Sequence, residues 1–448
     1  MAERDRVLPL RFWILWSGQV ATLVGNSVLR FAFVIHAWVT GDQATRVVLL
    51  TLFAMLPQML LSPTAGALVD RCRKRTALRL ADFGGLLVIS ALSAVWFSGN
   101  VRLWEIYLAV ALSGAAAAFQ YPALSSAVPL LVSEGQYQRA NGVLAAASSL
   151  ASVFGPALAG VLIAAGGMDL VLWLDLASFV VALASVQFIR LRERRGAQAP
   201  ATRARRRLLA ESAEGMKYLF ARPSLRGLTL VFFVVNLVMV FGFAVLQPMI
   251  LARTGGDADK LAVVMSSMGI GGVTGGFLVG ASGGPRNRIR GMTLGVVGLC
   301  LSALIGMAVL RSVAGWCVAI FVGALVLPLI NSAEQSIVQT KVPASLQGRV
   351  FGASLFLTQI SAPLALAIAG PLADHVFEPH GPAPGVTRLF GPLLGRGPGS
   401  GMAAMLLIAG VCGIAAAIAG MAIRPIRDID LLIPDLDTGA DDEPVLAH

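Results

Sequence analysis

Asp70 stands at the end of a long apolar run and is followed by Arg71, Arg73, Lys74, Arg75 and Arg79. The stretch from Gly66 to Arg75 reads G-A-L-V-D-R-C-R-K-R and separates the apolar runs Val47–Val69 and Thr76–Phe97. A carboxylate set among cations at such a turn suits ion pairing and charge–dipole contacts rather than bond-breaking chemistry. More polar groups lie inside the apolar runs. Counted at about 1.5 Å per helical residue, Asn26, Asn236 and Asn331 fall near the middle of their runs. Glu334 and Gln335 follow one turn on from Asn331, and Gln120 and Tyr121 lie in the inner half of theirs. Arg30 and Asp175 share a similar, outer depth; a buried ion pair would explain both, and Arg30 binding an anion is the alternative. Asp82 comes close to the start of its run, with Arg79 or Arg75 as the expected partner. Exposing such groups to lipid is costly, so they serve either substrate and proton binding or hydrogen bonds between helices.

No enzymatic constellation accompanies them. There is no nucleotide-binding G-x-x-x-x-G-K-[ST], so ATP is not the expected energy source. The four histidines are scattered, and His36 reads as interfacial. Cys72 falls in a loop, and Cys300, Cys317 and Cys412 in separate apolar runs, with no metal or redox spacing. Neither a cofactor nor a resident metal is expected, and the chain does not read as an enzyme.

The elements that must hold these residues are membrane helices. Of 448 residues, 56% are hydrophobic and 13% charged, and the mean hydropathy is +0.78. No soluble domain of this length needs so much apolar sequence. Twelve apolar runs are expected, six before and six after a basic linker. Residues 1–190 form the first six-helix bundle and 191–226 the linker, which ends in a helix lying along the inner surface. Residues 227–424 form the second bundle and 425–448 an acidic tail. The first run is too long for a cleaved signal peptide and is read as a retained helix. With the N-terminus cytoplasmic, 27 of the 35 Lys and Arg fall on the cytoplasmic side, seven outside, and Arg30 in the membrane. That bias sets both termini inside. It also assigns the +11 net charge to anionic lipid headgroups rather than nucleic acid.

The two halves share landmarks 210 residues apart. Gly66, Leu68 and Val69 recur as Gly276, Leu278 and Val279, and Val132, Arg139 and Gly142 as Val342, Arg349 and Gly352. Asp70 does not recur, since position 280 is Gly. Landmarks in one register this far apart indicate a duplicated half. The eighth apolar run, Leu261–Ala281 (helix 8), also repeats glycine at 272, 276 and 280, a spacing that allows close helix approach in lipid.

Taken together, the chain resembles the major facilitator superfamily. The G-x-L-x-D-R-x-x-x-R stretch looks like that superfamily's signature loop, with Arg73 where Gly is usual. Gly155 and Pro156 open a G-P-A-L-A-G stretch similar to the antiporter motif of its drug exporters, with Ala151 where Gly is usual. R-A-N-G (139–142), V-P-A-S-L-Q-G-R-V-F (342–351) and A-G-P-L-A-D-H-V-F-E-P (369–379) resemble the branch of macrolide-efflux proteins and the enterobactin exporter.

The resemblance implies an all-α fold of two six-helix bundles around a central cavity that opens alternately to either side, lined by helices 1, 4, 7 and 10. Asn26, Gln120, Asn236, Asn331, Glu334 and Gln335 would then converge on the cavity wall. It also places the start of helix 11, around Arg349, beside Asp70. Asp70 would latch the cytoplasmic gate there in the outward-facing state, the plainer alternative being a helix stop. The expected function is proton-coupled export, across the cell's inner membrane, of a small amphipathic molecule: a siderophore, a peptide-type metabolite or a macrolide-like drug. Glu334 is the first candidate proton carrier, and Asp175 and Asp82 are the next. The rivals are a lysophospholipid transporter of the same fold and a membrane sensor or scaffold that transports nothing. The charge count makes the topology testable. In a Cys72→Ser background, Pro200→Cys should react with a membrane-impermeant maleimide only in permeabilised cells; reaction in intact cells would reverse the orientation.

Overall fold

The computed structural model describes residues 8–133, 136–189, 216–282, 287–341, 350, 353, 354, 356–378 and 384–424. The side chains of Asp70, Arg71 and Gln335, and all of Arg349, lie outside the described residues, and so does the expected Asp70 latch. The same holds for the linker over 190–215 and the tail from 425.

Lipid offers the backbone no hydrogen-bond partners, so an apolar run can cross it only as a helix that satisfies its own amides and carbonyls. The first four runs do this as α1 (Leu10–Val39), α2 (Ala44–Arg71), α3 (Lys74–Phe97) and α4 (Leu103–Ala127). The next helical stretch, Tyr137–Phe188, has 52 residues. A straight helix of that size would be about 78 Å long, against a bilayer core of about 30 Å. It is broken at Gly166 and at Gly167, whose φ of 66° is the left-handed region open to glycine. The limbs are α5 (137–165) and α6 (168–188). The Trp16 indole N–H donates to the Val143 carbonyl at 2.9 Å, and Gly155 lies against Ser27, so α5 runs alongside α1. Gly18 meets Ser185 and Gly25 meets Asp175, so α6 runs the opposite way.

The second half continues with α7 (Pro223–Thr254), α8 (Ala258–Ser282), α9 (Ile289–Val309), α10 (Val313–Lys341), α11 (Phe356–Phe377) and α12 (Ser400–Ala422). Among the described residues eleven stretches are long and apolar enough to cross a membrane, and the one covering 142–188 contains the reversal. Counting it as two crossings gives twelve. Among the described residues there is no strand. In the first half α1 packs on α5 and α6, and α4 on α2 and α3; in the second, α7 packs on α11 and α12, and α10 on α8 and α9. The halves meet chiefly along α5–α8 and α2–α11.

One face of the molecule carries the N-terminus and the basic 72–75 turn; the opposite, far face carries the turns at 40–43, 166–167 and 255–257. At the far face Asp374, in a π-helical turn (Ala373–Phe377) that ends α11, reaches the start of α2. Its two carboxylate oxygens accept from the backbone N–H groups of Ala44 and Thr45, both at 2.8 Å. One turn earlier, Gly370 lies so close that a Cβ there would stand 2.8 Å from Thr45 Cα. The α2 N-terminus has four amides without helical partners and a partial positive charge, and Asp374 answers both. This contact bolts the two halves together at the far face.

The motif glycine Gly155 and the spaced glycines of α8 do not meet each other. A Cβ on Gly155 would overlap Ser27 Oγ, so Gly155 faces α1 rather than α8. Gly272, Gly276 and Gly280 have open space beside them. The α5–α8 contact uses Gly269, where a Cβ would lie 2.7 Å from Val153 Cγ2. Gly271 and Gly275, one residue out of the expected register, receive the Phe321 and Leu325 carbonyls of α10. The 272–276–280 spacing marks one face of α8, but the neighbouring helices sit on the adjacent face.

Overpacking at a helix contact destabilises by about 1–3 kcal/mol. Gly155→Ala should therefore lower the unfolding temperature of the purified protein by a few degrees, and Ser27→Gly added to it should restore most of the loss; a double variant no better than the single would place the contact elsewhere. Asp374→Asn keeps one acceptor and turns the other into a donor facing a donor. Hydrogen exchange at Ala44 and Thr45, read by mass spectrometry, should accelerate several-fold in that variant, and unchanged exchange would deny Asp374 a closing role.

Candidate functional site

A cavity of about 1220 Å³ opens within the first half, walled by α1, α2, α4 and α5. The α1 wall is a single stripe, Gln19, Leu23, Asn26 and Arg30, spaced by four, three and four residues. That spacing keeps side chains on one helical face. On α4 the stripe includes Ser113, Ala117, Gln120, Tyr121 and Leu124; Gln58 of α2 and Ser148 of α5 complete the polar part. Leu29, Phe33, Val110 and Leu144 supply apolar surface. An apolar wall with a few convergent polar groups is the usual form of a small-molecule site. A smaller cavity of about 280 Å³ adjoins it, lined by Arg30, Gln58, Thr51 and Met55 among others.

Asp82 of α3 sits fully buried behind this wall. Gln120 Nε2 donates to Asp82 Oδ1 at 3.0 Å, and Gln19 Nε2 donates to Oδ2 at 3.3 Å. The two glutamines also touch, Gln120 Nε2 to Gln19 Oε1 at 3.3 Å. The expected pairing of Asp82 with Arg75 or Arg79 is therefore not what forms. Arg75 donates to the backbone carbonyls of Val186 and Gln187 on α6, and Arg79 to the Gln187 side chain. Asp82 is one helical turn deeper than Arg79 and points inward, while the arginines reach to the end of α6. Gln19 escaped the reading of the sequence although it stands seven residues before Asn26 and eleven before Arg30. That is the stripe spacing, and it was the available signal.

The expected Arg30–Asp175 ion pair is also absent. Asp175 is buried on α6, with its Oδ1 3.5 Å from Ser178 Oγ and its Oδ2 without a hydrogen-bond partner. It packs beside Gly25, where a Cβ would come within 2.6 Å of Oδ1. Five residues along a helix turn the side-chain direction by about 140°, so Arg30 points away from the side of α1 that Asp175 touches. Arg30 faces the cavity instead, and its Nε donates to the Asn26 carbonyl at 3.3 Å.

Of the residues expected to converge, Asn26 and Gln120 line the cavity together with Arg30. Asn236 does not. Its amide donates to the Thr358 carbonyl at 3.0 Å and to Ser361 Oγ at 2.8 Å, joining α7 to α11, which is the plainer reading of a membrane asparagine. Asn331 is exposed and Glu334 half-buried on α10, and neither belongs to the cavity wall. Among the described residues no cluster of His, Cys, Asp or Glu is placed to hold a metal ion.

Known proteins share this plan. The chain is 24% identical over 384 residues to macrolide efflux protein A of Streptococcus pyogenes, covering 84% of this chain and 93% of that one. It is 26% identical over 385 residues to the multidrug efflux pump Tap of Mycolicibacterium fortuitum, covering 83% and 90%. Among solved structures, it superposes on a bacterial homologue of the human lysosomal transporter Spinster in an inward-facing, unoccupied form. The TM-score there is 0.66 at 16% identity, over 95% of this chain and 98% of that one. A bacterial homologue of the iron transporter ferroportin, also inward-facing, gives 0.62 at 17%, over 91% and 98%. The family model of the Major Facilitator Superfamily matches residues 15–366, and this multi-pass membrane protein belongs to that superfamily.

Proposed function

We propose that this protein is a proton-driven exporter of a small amphipathic molecule, working by alternating access in the cell's inner membrane with both termini cytoplasmic. The observation that carries the reading is a large cavity at mid-depth combined with a far face shut by Asp374 on α2. With the termini inside, the far face is the outer one. The molecule is then in the form that loads from the cytoplasm. The relatives named for macrolide and multidrug efflux support the outward direction. A siderophore, a peptide-type metabolite or a macrolide-like drug each has the size and mixed polarity that suit the wall.

In the opposite state the outer contact opens and the basic face closes. Asp70, Arg71, Arg75 and Arg349 are the residues that close it in this proposal, Asp70 meeting the start of α11 much as Asp374 meets the start of α2. Gly155 and Pro156 let α5 lie tightly on α1, so that these helices move as a unit.

Of the membrane carboxylates, Asp82 is the best placed to carry the proton. Gln19 and Gln120 hold it and also form the cavity wall, so a ligand that turns either amide changes the number of donors facing Asp82. An ionised carboxylate accepts these bonds; a protonated one must itself donate, and the amides would turn to offer oxygen. Glu334 and Asp175 lack such a link to the wall.

Cells expressing the protein should accumulate less of a macrolide, catecholate siderophore or peptide metabolite that it carries, and an uncoupler should abolish the difference. In proteoliposomes Asp82→Asn should remove the dependence of transport on a pH gradient, and Glu334→Gln should leave it largely in place. Loss of the gradient dependence in Glu334→Gln alone would move the proton to α10. Accumulation that rises with expression would make the protein an importer.

A further inference from the structure

The cavity carries one kind of charge. Among the described residues on its wall, Arg30 is charged and every other polar group is an amide, a hydroxyl or a phenol. The three carboxylates of the membrane interior lie off the wall. Asp82 is behind it and held by two glutamine amides, Asp175 is behind Gly25 on the far side of α1, and Glu334 is on α10. Among the described residues no carboxylate forms an ion pair with the Arg30 guanidinium, which is exposed to the cavity and whose Nε donates to the Asn26 carbonyl. Arg30 also lines the smaller side cavity, so its planar end sits where the two spaces join.

A cation this deep needs a counter-charge or water to offset the loss of solvation. The fold places its nearest candidate, Asp175, behind the backbone of α1. Arginine is always charged, and its planar fork matches a carboxylate, sulfonate or phosphate with two parallel hydrogen bonds. Gln58 lines both cavities with Arg30 and adds a further amide donor. Leu29, Phe33 and Val110 give an apolar body something to lie against.

We propose that Arg30, with Gln58, forms an anion-selective subsite, and that the transported molecule is an amphipathic anion whose acidic group meets Arg30 while its apolar part covers the α1–α4 wall. The inference rests on reading this cavity as the substrate site. A wall of this charge repels a cationic ligand, which sets the acidic siderophore and peptide classes ahead of a basic macrolide, and leaves a neutral one without a charge-assisted bond to Arg30. The same chemistry is carried by a small organic acid and by the headgroup of an anionic lysolipid.

Three fluorescent probes with one aromatic body separate charge from shape: dansylglycine (anionic), dansylamide (neutral) and dansylcadaverine (cationic). Binding to the purified full-length protein should be at least about tenfold tighter for dansylglycine than for dansylamide, and weakest for dansylcadaverine, the scale of one charge-assisted contact. Arg30→Gln should erase the preference, and Arg30→Lys should keep part of it, which distinguishes a lost charge from a lost fold. Displacement of dansylglycine by laurate alone would point to organic acids, and displacement by lysophosphatidylglycerol to a lipid headgroup. Equal binding of the three probes, tightest binding of the cation, or a preference that survives in Arg30→Gln would overturn the proposal. Dansylglycine transport into inverted proteoliposomes separates this inference from the export reading. Anion-selective binding without transport would leave the subsite standing and sink the exporter, whereas uncoupler-sensitive export by a protein that binds all three probes equally would do the reverse.

Discussion

The bilayer cannot solvate a polar group, and each one that this chain places inside it has to find a partner within the fold or face a cavity. That constraint sorts the molecule. Asn236 settles on the Thr358 carbonyl and Ser361 of α11, and Asp82 takes the amides of Gln19 and Gln120. Arg30 donates to a carbonyl of its own helix and turns to the cavity. The first pattern ties helices together. The third marks the proposed site. Asp82 is both, since its partners are themselves part of the wall.

Helix contacts obey a second constraint, because lipid tails give packed apolar faces little reason to associate. Close approach does the work instead. Gly155 admits Ser27, Gly25 admits the Asp175–Ser178 turn, and Gly271 and Gly275 admit carbonyls of α10. These contacts lie within halves, and they make each half a stiff body. A stiff half is what allows a contact at one end, such as Asp374 on α2, to govern the opening at the other.

The fold was largely legible in the chain because it is written in composition. Apolar runs of membrane length, a cation count skewed to alternate loops and a repeat offset of 210 residues need no tertiary knowledge. The site was legible only as far as depth could be counted. Asn26 and Gln120, which line the cavity, were singled out by depth, and Arg30, which also lines it, was set beside Asp175 by depth alone. Asp82 was assigned the wrong partners because depth alone set it near Arg79, whereas the rotation of α3 turns it toward α1 and α4. Arg30 and Asp175 share a depth but not a side of α1, and depth carries no information about rotation. Asp374 could not be singled out. Its role depends on a π-helical turn that re-aims the carboxylate and on the meeting of α11 with α2, neither of which leaves a local sequence pattern.

The strength of the far-face contact fits its proposed task. A carboxylate on a helix N-terminus contributes about 0.5–2 kcal/mol, enough to favour one state several-fold without locking it. A carrier needs this. A ligand can shift two states only by the difference in its affinity for them, so a gate held by many kcal/mol would be deaf to the cavity. In the proposed cycle the Asp374 contact is weak enough to be tipped by what Arg30 and the Gln19–Asp82–Gln120 cluster bind. The duplicated halves then allow a similar economy at the opposite face, where Asp70 is set at the other end of the same α2. In the proposed cycle one helix presents its N-terminus to Asp374 of α11 in this state and its own Asp70 to the start of helix 11 in the opposite one, and a rigid rotation between the halves weakens the first contact as it brings the second into reach.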